Sequence, residues 1–183
     1  MKKSAQTTLQ FQRREWFYYI DHKGLLFLEE TEPKNYTSCL KDDKFLNFFF
    51  SNLRPVTETK EEQIEGYPYL SPCWGELNYV KSFKCPIIFK HLTTEQGNSN
   101  LEKDILIYGG ALKQEFHPDL LIQDEEGLLL HPLTEHKYMK YGALDMSLCQ
   151  KIGVTLENDP NGCESFIWRD QKHLIRQCKI DCY

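Results

Sequence analysis

Residues 16–29 have the sequence WFYYIDHKGLLFLE, and this stretch decides the fold class. Two apolar runs, Trp16–Ile20 and Leu25–Glu29, flank the four residues Asp21–Gly24. Aromatic and β-branched side chains favour the pleated surface of a strand, and a glycine in a short loop can take the positive φ that closes a hairpin. The stretch therefore predicts a β-hairpin near the start of the chain.

Short apolar runs of the same kind continue along the chain, separated by turns rich in Pro, Gly and Asp. We predict further strands at 36–40, 67–71, 75–81, 86–92, 105–108, 112–116, 120–122, 128–130, 144–148, 166–168 and 173–175. The alternation at 144–148 fits a half-buried strand, with a helix as the competing interpretation. The polar stretches 57–65 and 93–104 lack apolar periodicity, which predicts a solvated linker and a mobile loop.

One segment has the spacing of a helix. Phe45, Leu46, Phe49 and Leu53 recur on one helical face, and Asp42 precedes them as a good N-cap. The proline at 55 ends such a helix because it restricts the residue before it. We predict one amphipathic helix at about 43–53.

These elements predict a β-rich α+β protein in which two small antiparallel sheets pack together around one main amphipathic helix. Hairpins at both ends of the chain suit a duplicated layout. We expect a disordered or targeting leader at 1–14, a half of hairpin, helix and meander at 15–92, and a β-rich half at 105–178. The chain has 183 residues, 40% of them hydrophobic, which is enough for one compact globule.

Charge and composition limit the partners. The formal charge is −5 and no Lys/Arg-rich run occurs, so we expect no nucleic-acid binding. No apolar run approaches the roughly 18 residues of a membrane span, so we expect no membrane insertion. Seven cysteines without a secretory signal favour free thiols in a reducing compartment. The first fourteen residues are basic and contain no acid, which suits a mitochondrial presequence or, alternatively, a tail of a cytoplasmic protein.

Several short motifs carry a resemblance to a known family. They are Trp16–Gly24, Lys41-Asp42, Leu53-Arg54-Pro55, Pro68–Cys73, Pro86–Leu92, Tyr108-Gly109-Gly110, Phe116-His117-Pro118 and Gly127 ahead of His131-Pro132. In this order, over about residues 16–175, the chain resembles an uncharacterised eukaryotic family typified by a vertebrate mitochondrial protein known only as a chromosome-8 open reading frame. The resemblance implies a mitochondrial address and no reaction. The chain departs from the pattern at 169–172, where the expected glycine of the last hairpin turn is missing.

A fainter likeness, in the order of segments, is to a bacterial family of unknown function. That likeness implies two duplicated small sheets, the second similar to a pleckstrin-homology domain, and a nucleotide-type ligand at the interface between them. Because fold does not fix function, this remains an analogy.

The sequence contains no complete catalytic motif. It has no Gly-x-Ser-x-Gly elbow, Walker loop or Gly-x-Gly-x-x-Gly fingerprint. The segment 131–136 has two histidines, but its spacing is one residue too long for an inverted zinc-protease motif and a proline interrupts it. We therefore predict no metal site, no cofactor and no catalytic residues.

A ligand site is predicted instead around Tyr108-Gly109-Gly110. Two glycines after a strand allow backbone N–H groups to approach an anion, although a tight bend is the simpler interpretation. Arg54 offers a bidentate grip on phosphate or carboxylate. His117 and His131 each precede a proline, and either could donate a hydrogen bond or a proton at the edge of a cleft.

Three hypotheses of function follow. The leading one is a non-enzymatic binding or adaptor module for a small anionic or nucleotide-like ligand or a protein partner. The second is a small transferase or hydrolase that uses His117 or His131 with Arg54. The third is a structural subunit of a larger assembly, which would present an exposed aromatic patch rather than a pocket.

Overall fold

The computed structural model describes residues 13–56, 63–96, 102–153 and 164–179, together with the backbone of 157–158. The predicted leader at 1–14, most of the linker at 57–65 and the turn near 160 fall largely outside these ranges. The elements are, in chain order, β1 (Glu15–Ile20), β2 (Leu26–Leu28), α1 (Asp43–Ser51), β3 (Arg54–Pro55), β4 (Tyr69–Cys73), β5 (Glu76–Ser82), β6 (Ile88–Phe89), β7 (His91–Gln96), β8 (Glu102–Tyr108), β9 (Leu112–Glu115), a 3-10 helix (Pro118–Leu120), β10 (Ile122–Gln123), β11 (Leu129–Pro132), β12 (Tyr141–Leu144), α2 (Met146–Ile152), β13 (Glu157–Asn158), β14 (Glu164–Trp168), β15 (Gln171–Leu174) and β16 (Arg176–Gln177).

The strands form several small sheets, and the β-rich α+β class is confirmed. Two sheets have five strands, in the orders β2-β1-β5-β4-β3 and β16-β10-β11-β12-β6. Two have three strands, in the orders β7-β8-β9 and β13-β14-β15. Most pairs are antiparallel, but β1 and β5, β12 and β6, and β10 and β16 run parallel. Parallel strands are joined by long connections, so the short turn signals that predict hairpins in the sequence do not predict these parallel pairs.

The opening hairpin forms where the sequence places it. β1 and β2 pair antiparallel, with Tyr19 opposite Phe27. Asp21 closes the loop because its Oδ1 accepts from the backbone N–H groups of Lys23 at 2.9 Å and Leu25 at 2.8 Å. Gly24 has φ +70°, as predicted, and a Cβ there would lie 2.8 Å from the Cβ of Ile88, so this turn packs directly on the second five-stranded sheet.

The predicted helix is confirmed as α1. The carboxylate of Asp42 accepts from the backbone N–H of Phe45 at 2.7 Å, which satisfies one of the free donors at the helix start. α1 ends at Ser51, two residues before the predicted end, and Arg54 and Pro55 form the short strand β3 rather than a helix terminus. Its buried side chains are Leu46, Phe49 and Phe50.

One hydrophobic core extends through both predicted halves of the chain. It contains Ile20 and Phe49 from the first half and Leu106 and Phe166 from the second, each at most 2% exposed. Elements from both halves are therefore packed on the same apolar cluster. The division at 15–92 and 105–178 stays a prediction.

The prediction of a loop over residues 93–104 is wrong for the residues at both ends of this range. Thr93–Gln96 belongs to β7 and Glu102–Asp104 to β8, and the two strands pair in register up to Gln96 opposite Glu102. Most of these side chains are exposed, so the usual alternation is missing. Backbone ladder bonds and cross-strand ion pairs stabilise the ribbon instead, one of them between Lys113 and Glu95 at 2.6 Å.

Two predicted strands are also wrong. Residues 36–40 form a turn because the Oδ1 of Asn35 accepts from the backbone N–H of Thr37 at 2.8 Å, and such local bonds compete with a strand ladder. Residues 144–148 are mostly helical. Asp145 caps α2, Leu148 and Ile152 bury one face, and Gly153 ends the helix at φ +68°, so the competing interpretation is the right one.

The closing hairpin is confirmed, and its missing glycine is explained. β14 and β15 pair antiparallel, with Phe166 opposite His173 and Trp168 opposite Gln171. The turn residues Arg169 and Asp170 have φ +48° and +62°. Aspartate tolerates the left-handed region better than most residues, so this turn forms without glycine at some cost in strain.

Candidate functional site

One cavity of the structure has a volume of about 640 Å³, within the range of small-molecule sites. Four loop or strand-end segments surround it: the β1–β2 turn, the connection from β5 to β6, the β10–β11 turn and the junction of β12 with α2. The packing of Gly24 against Ile88 holds the first of these segments on the second five-stranded sheet. The cavity therefore lies where the two large sheets meet.

The cavity walls are mainly apolar. Ile88, Leu129 and Leu144 line it and are at most 6% exposed. Phe83 and Met146 also line it but are 60% and 76% exposed, far more than large hydrophobic side chains of a folded core. An apolar interior whose rim carries exposed apolar side chains is typical of a binding surface for an apolar group.

A few polar groups lie along the same cavity. Lys84 and Glu126 form an ion pair at its edge, and the hydrogen bond that Lys84 donates to this carboxylate raises the pKa of the Lys84 ammonium. The carboxylate of Asp145 accepts from the backbone N–H and the hydroxyl of Ser147, as the cap of α2. The ring of His22 lies edge-on to Phe83, with centroids 6.1 Å apart. The lysine already has its counter-ion, so this lining carries no excess positive charge for an anion.

Two thiols line the cavity, and neither is prepared as a nucleophile. Burial, and then the nearby carboxylate of Asp145, raises the pKa of Cys149 to about 11. Its Sγ lies 3.9 Å from the carbonyl oxygen of Leu144, as a weak donor. Cys85 is 1% exposed and its Sγ lies 3.8 Å from the carbonyl oxygen of Tyr141. Cys149 is therefore held as the thiol rather than the nucleophilic thiolate, and both side chains contribute to an apolar wall.

The predicted site around Tyr108-Gly109-Gly110 lies elsewhere, against α1. Tyr108 is 5% exposed, and burial, with a smaller effect of Glu135, raises its pKa to about 12. A Cβ on Gly110 would lie 2.8 Å from the carbonyl oxygen of Asp43, and one on Gly109, at φ +60°, 3.1 Å from the Phe50 ring. The glycines allow close packing of the turn on the helix, and protein atoms occupy the space that an anion would need.

A hydrogen bond between the His131 side chain and the His117 backbone joins the two predicted histidines. The Nε2 of His131 accepts from the backbone N–H of His117 at 3.0 Å, and its Nδ1 donates to the carbonyl oxygen of Pro132 at 2.8 Å. His131 is fully buried, and burial lowers its pKa to about 4. Both ring nitrogens are therefore used to join two segments, while His117 itself is exposed.

Arg54 belongs to the first five-stranded sheet, whereas His131 belongs to the second. Arg54 lies half-buried in β3 opposite Leu70, and its Nη1 donates to the carbonyl oxygen of Pro55 at 3.4 Å. None of the six predicted ligand residues lines the 640 Å³ cavity. Within the described ranges, no group of three or more His, Cys, Asp or Glu is arranged to hold a metal ion, and no helix is long and apolar enough to cross a membrane.

Sequence reasoning missed the residues that line the cavity because they come from connections. The stretch Phe83–Cys85 lies between two strands, and Met146 begins a helix that the sequence pattern presents as a strand. One signal was available: Phe83 interrupts the polar stretch Lys81–Lys84, where a large apolar side chain is unusual.

A family model described as a domain of unknown function, DUF4505, matches residues 5–179. The chain belongs to this family. Among solved structures, this DUF4505 chain is similar to a DUF1285 family protein from Silicibacter pomeroyi DSS-3, with a TM-score of 0.50 and 9% identity over 96% of this chain and 90% of that one. A DUF1285 family protein from Shewanella baltica OS155 matches with a TM-score of 0.44 and 15% identity over 74% of this chain and 88% of that one.

These comparisons confirm two predictions. The chain is a member of a family of unknown function, and its fold is similar to that of a bacterial protein. At 9% identity the likeness to the Silicibacter protein is one of fold alone. The function of this DUF4505 protein is therefore argued from its own cavity.

Proposed function

We propose that this DUF4505 protein is a non-enzymatic binding module that holds a small apolar molecule in the 640 Å³ cavity. The observation that carries the proposal is the combination of apolar walls with Phe83 and Met146 exposed at the rim. Burying apolar surface of a ligand contributes about 25 cal/mol per Å² removed from water, so such walls favour an apolar ligand over a charged one.

The polar lining supports an apolar ligand rather than the anionic one predicted from the sequence. Lys84 is neutralised by Glu126, and Asp145 adds a negative charge next to the cavity. A phosphate or carboxylate would face this carboxylate without a free cation among the lining residues. A hydrocarbon or aromatic molecule with one weakly polar end suits the lining better.

The enzyme hypothesis has less support. Proton transfer needs a histidine nitrogen within about 3 Å of the reacting group, whereas both nitrogens of His131 are bonded to backbone. Arg54 and His117 lie in different elements and neither lines the cavity. Cys149 lines the cavity and is a candidate nucleophile, but its raised pKa keeps it as the thiol.

The experiment is displacement of a neutral fluorescent apolar probe, N-phenyl-1-naphthylamine, by straight-chain alcohols of increasing length. We expect saturable displacement that strengthens with chain length by about 0.8 kcal/mol per buried methylene, until the cavity is filled. The substitution Met146→Lys should weaken alcohol binding, because it places a hydrated ammonium at the rim.

Ile167→Lys is the matched control, since Ile167 is 62% exposed and does not line the cavity. It changes the surface in the same way and should leave alcohol binding unchanged. Equal binding by both variants, or displacement that does not depend on chain length, would count against the proposal.

We also propose the mitochondrial address. It is supported by the resemblance to the eukaryotic family and by the four basic residues, without an acid, in the first fourteen positions. A fluorescent protein fused to the C-terminus should co-localise with a mitochondrial marker. The variant with Lys2, Lys3, Arg13 and Arg14 changed to Gln should lose that localisation, and retention of it would argue against a basic presequence.

A further inference from the structure

A second cavity, of about 580 Å³, shares no lining residue with the apolar one. It is bordered by the hairpin β14–β15, by β16 and by the 3-10 helix at Pro118–Leu120. Its lining contains charged side chains of both signs, Asp119, Glu164, Lys172 and Arg176, with His173. A cavity of this size and polarity is suited to a small charged molecule.

Glu164 has an unsatisfied oxygen in this lining. Its Oε2 is buried, and among the described residues no donor forms a hydrogen bond with it. The main chain around it is held firmly, because the Glu164 carbonyl accepts from the backbone N–H of Ile175 at 2.8 Å. A buried carboxylate oxygen without a donor is unfavourable by about 1–3 kcal/mol or more, so it is suited to accept from a ligand N–H group.

His173 provides a second acceptor on the same face of the hairpin. Phe166 pairs with His173, and Glu164 lies two residues before Phe166, so both side chains point to one side. The Nδ1 of His173 lies 2.7 Å from an Asp119 oxygen, and a carboxylate only accepts, so Nδ1 carries the proton. In the neutral ring Nε2 is then an acceptor.

Two cations complete the lining. Lys172 and Arg176 are exposed, and in the part of the chain that the structure describes neither side chain forms an ion pair. Other surface cations, such as Lys103 and Lys113, pair with glutamates at 2.6 Å. The guanidinium and the ammonium are therefore available to a carboxylate or phosphate.

We propose that this second cavity binds a small zwitterion, a molecule with one protonated amine and one acidic group. The amine donates to the Oε2 of Glu164 and to His173, and the acidic group accepts from Arg176. Lys172 comes directly before His173 in β15 and points to the other face of the hairpin, so it adds only long-range attraction for the acidic group. A zwitterion pairs with both the Glu164 carboxylate and the Arg176 guanidinium, whereas a ligand with a single charge leaves one of the two without a partner. This site is independent of the apolar cavity and of the function proposed for it.

The test uses glycine, β-alanine and γ-aminobutyrate, in which the distance between amine and carboxylate increases stepwise. Propylamine and propionate are the singly charged controls. Binding to the full chain is followed by the side-chain NMR signals of His173. We expect saturable shifts with at least one of the three zwitterions and none with either control at the same concentration.

The substitutions Glu164→Gln and Arg176→Gln should each weaken the binding of that zwitterion by about tenfold or more, as loss of a charge-assisted hydrogen bond does. Glu30→Gln, which changes an exposed glutamate outside this cavity, should leave it unchanged. Arg176 is exposed, so its variant tests the site even if Glu164→Gln does not fold.

The proposal is overturned if no zwitterion shifts the His173 signals up to millimolar concentration, or if propylamine or propionate binds as tightly. It is also overturned if Arg176→Gln binds like the unmodified protein. None of these results bears on the alcohol displacement at the other cavity.

Discussion

Acid should destabilise this protein through one histidine, His131. In the folded state the ring is fully buried and its pKa is about 4, whereas an unfolded chain has the ordinary histidine value of 6.5. The folded-state value is the lower one, so the stabilisation is complete above about pH 6.5. It decreases as the pH falls from there towards 4, because only the unfolded chain takes up the proton.

The size of the effect follows from these two values. One pKa unit corresponds to 1.36 kcal/mol, so at about pH 5 the folded state should have lost about 2 kcal/mol from this histidine. That is a large share of the roughly 5–15 kcal/mol by which small domains are stable. The main structural reason is burial, which disfavours the charged ring, and protonation would also remove the Nε2 acceptor for the His117 N–H.

Urea unfolding at about pH 7.5 and about pH 5 measures this loss in the unmodified protein and in His131→Gln. The variant is expected to be less stable at both values but to lose about 2 kcal/mol less between them. His136, whose pKa is also lowered by burial, contributes equally in both proteins and so drops out of the comparison. His91→Gln, at an exposed position of β7, is the matched control. Parallel pH profiles for His131→Gln and the unmodified protein would refute the reasoning.

Three further substitutions test the packing. Asp104→Ala should lower the free energy of unfolding, measured in urea, by about 3 kcal/mol, because this carboxylate is 9% exposed and accepts from Trp168 at 3.1 Å and Arg169 at 2.7 Å. Glu102→Ala is its control: it removes only an exposed partner of the same arginine and should lower the free energy of unfolding by less than about 1 kcal/mol. Gly142→Ala should lower the melting temperature and reduce the free energy of unfolding by about 2 kcal/mol, since the new Cβ would lie 2.7 Å from the ring of the fully buried Phe89. An unchanged melting temperature would show that the structure accommodates the added methyl group. Asp170 has φ +62°, a conformation that glycine adopts more easily than alanine, so the Asp170→Gly variant should be more stable to unfolding than the Asp170→Ala variant by about 1 kcal/mol. The reverse order would mean that the left-handed turn is absent in solution.

The parts of the fold that the sequence predicts are those with local causes. The opening hairpin depends on Asp21 and Gly24, which act within five residues, and α1 depends on the Asp42 cap and an apolar face. Each of these signals lies inside the element it specifies, so no knowledge of the remaining chain is needed.

The parts that the sequence does not predict depend on distant partners. β1 lies parallel to β5, with Glu15 opposite Leu77, and nothing in either segment specifies the other. The ribbon of β7 and β8 has polar side chains on both faces, so its strand character comes from pairing and from the bonds to Asp104. Tertiary contacts decide such elements, and local propensity does not.

The environment of His131, like these strands, cannot be predicted from its local sequence. A histidine before a proline has the same local sequence whether it lies at a cleft edge or in the core, and only the position of His117 against it decides between the two. The apolar cavity has the same origin, because Phe83 and Met146 are far apart in the chain and line one cavity only in the folded structure. A binding site built from the ends of elements in this way can change its lining without altering any strand. This explains why the residues with the clearest local signals, Gly109 and Gly110, are used for packing the fold, while the candidate ligand sites lie among residues whose local sequence gave little indication of them.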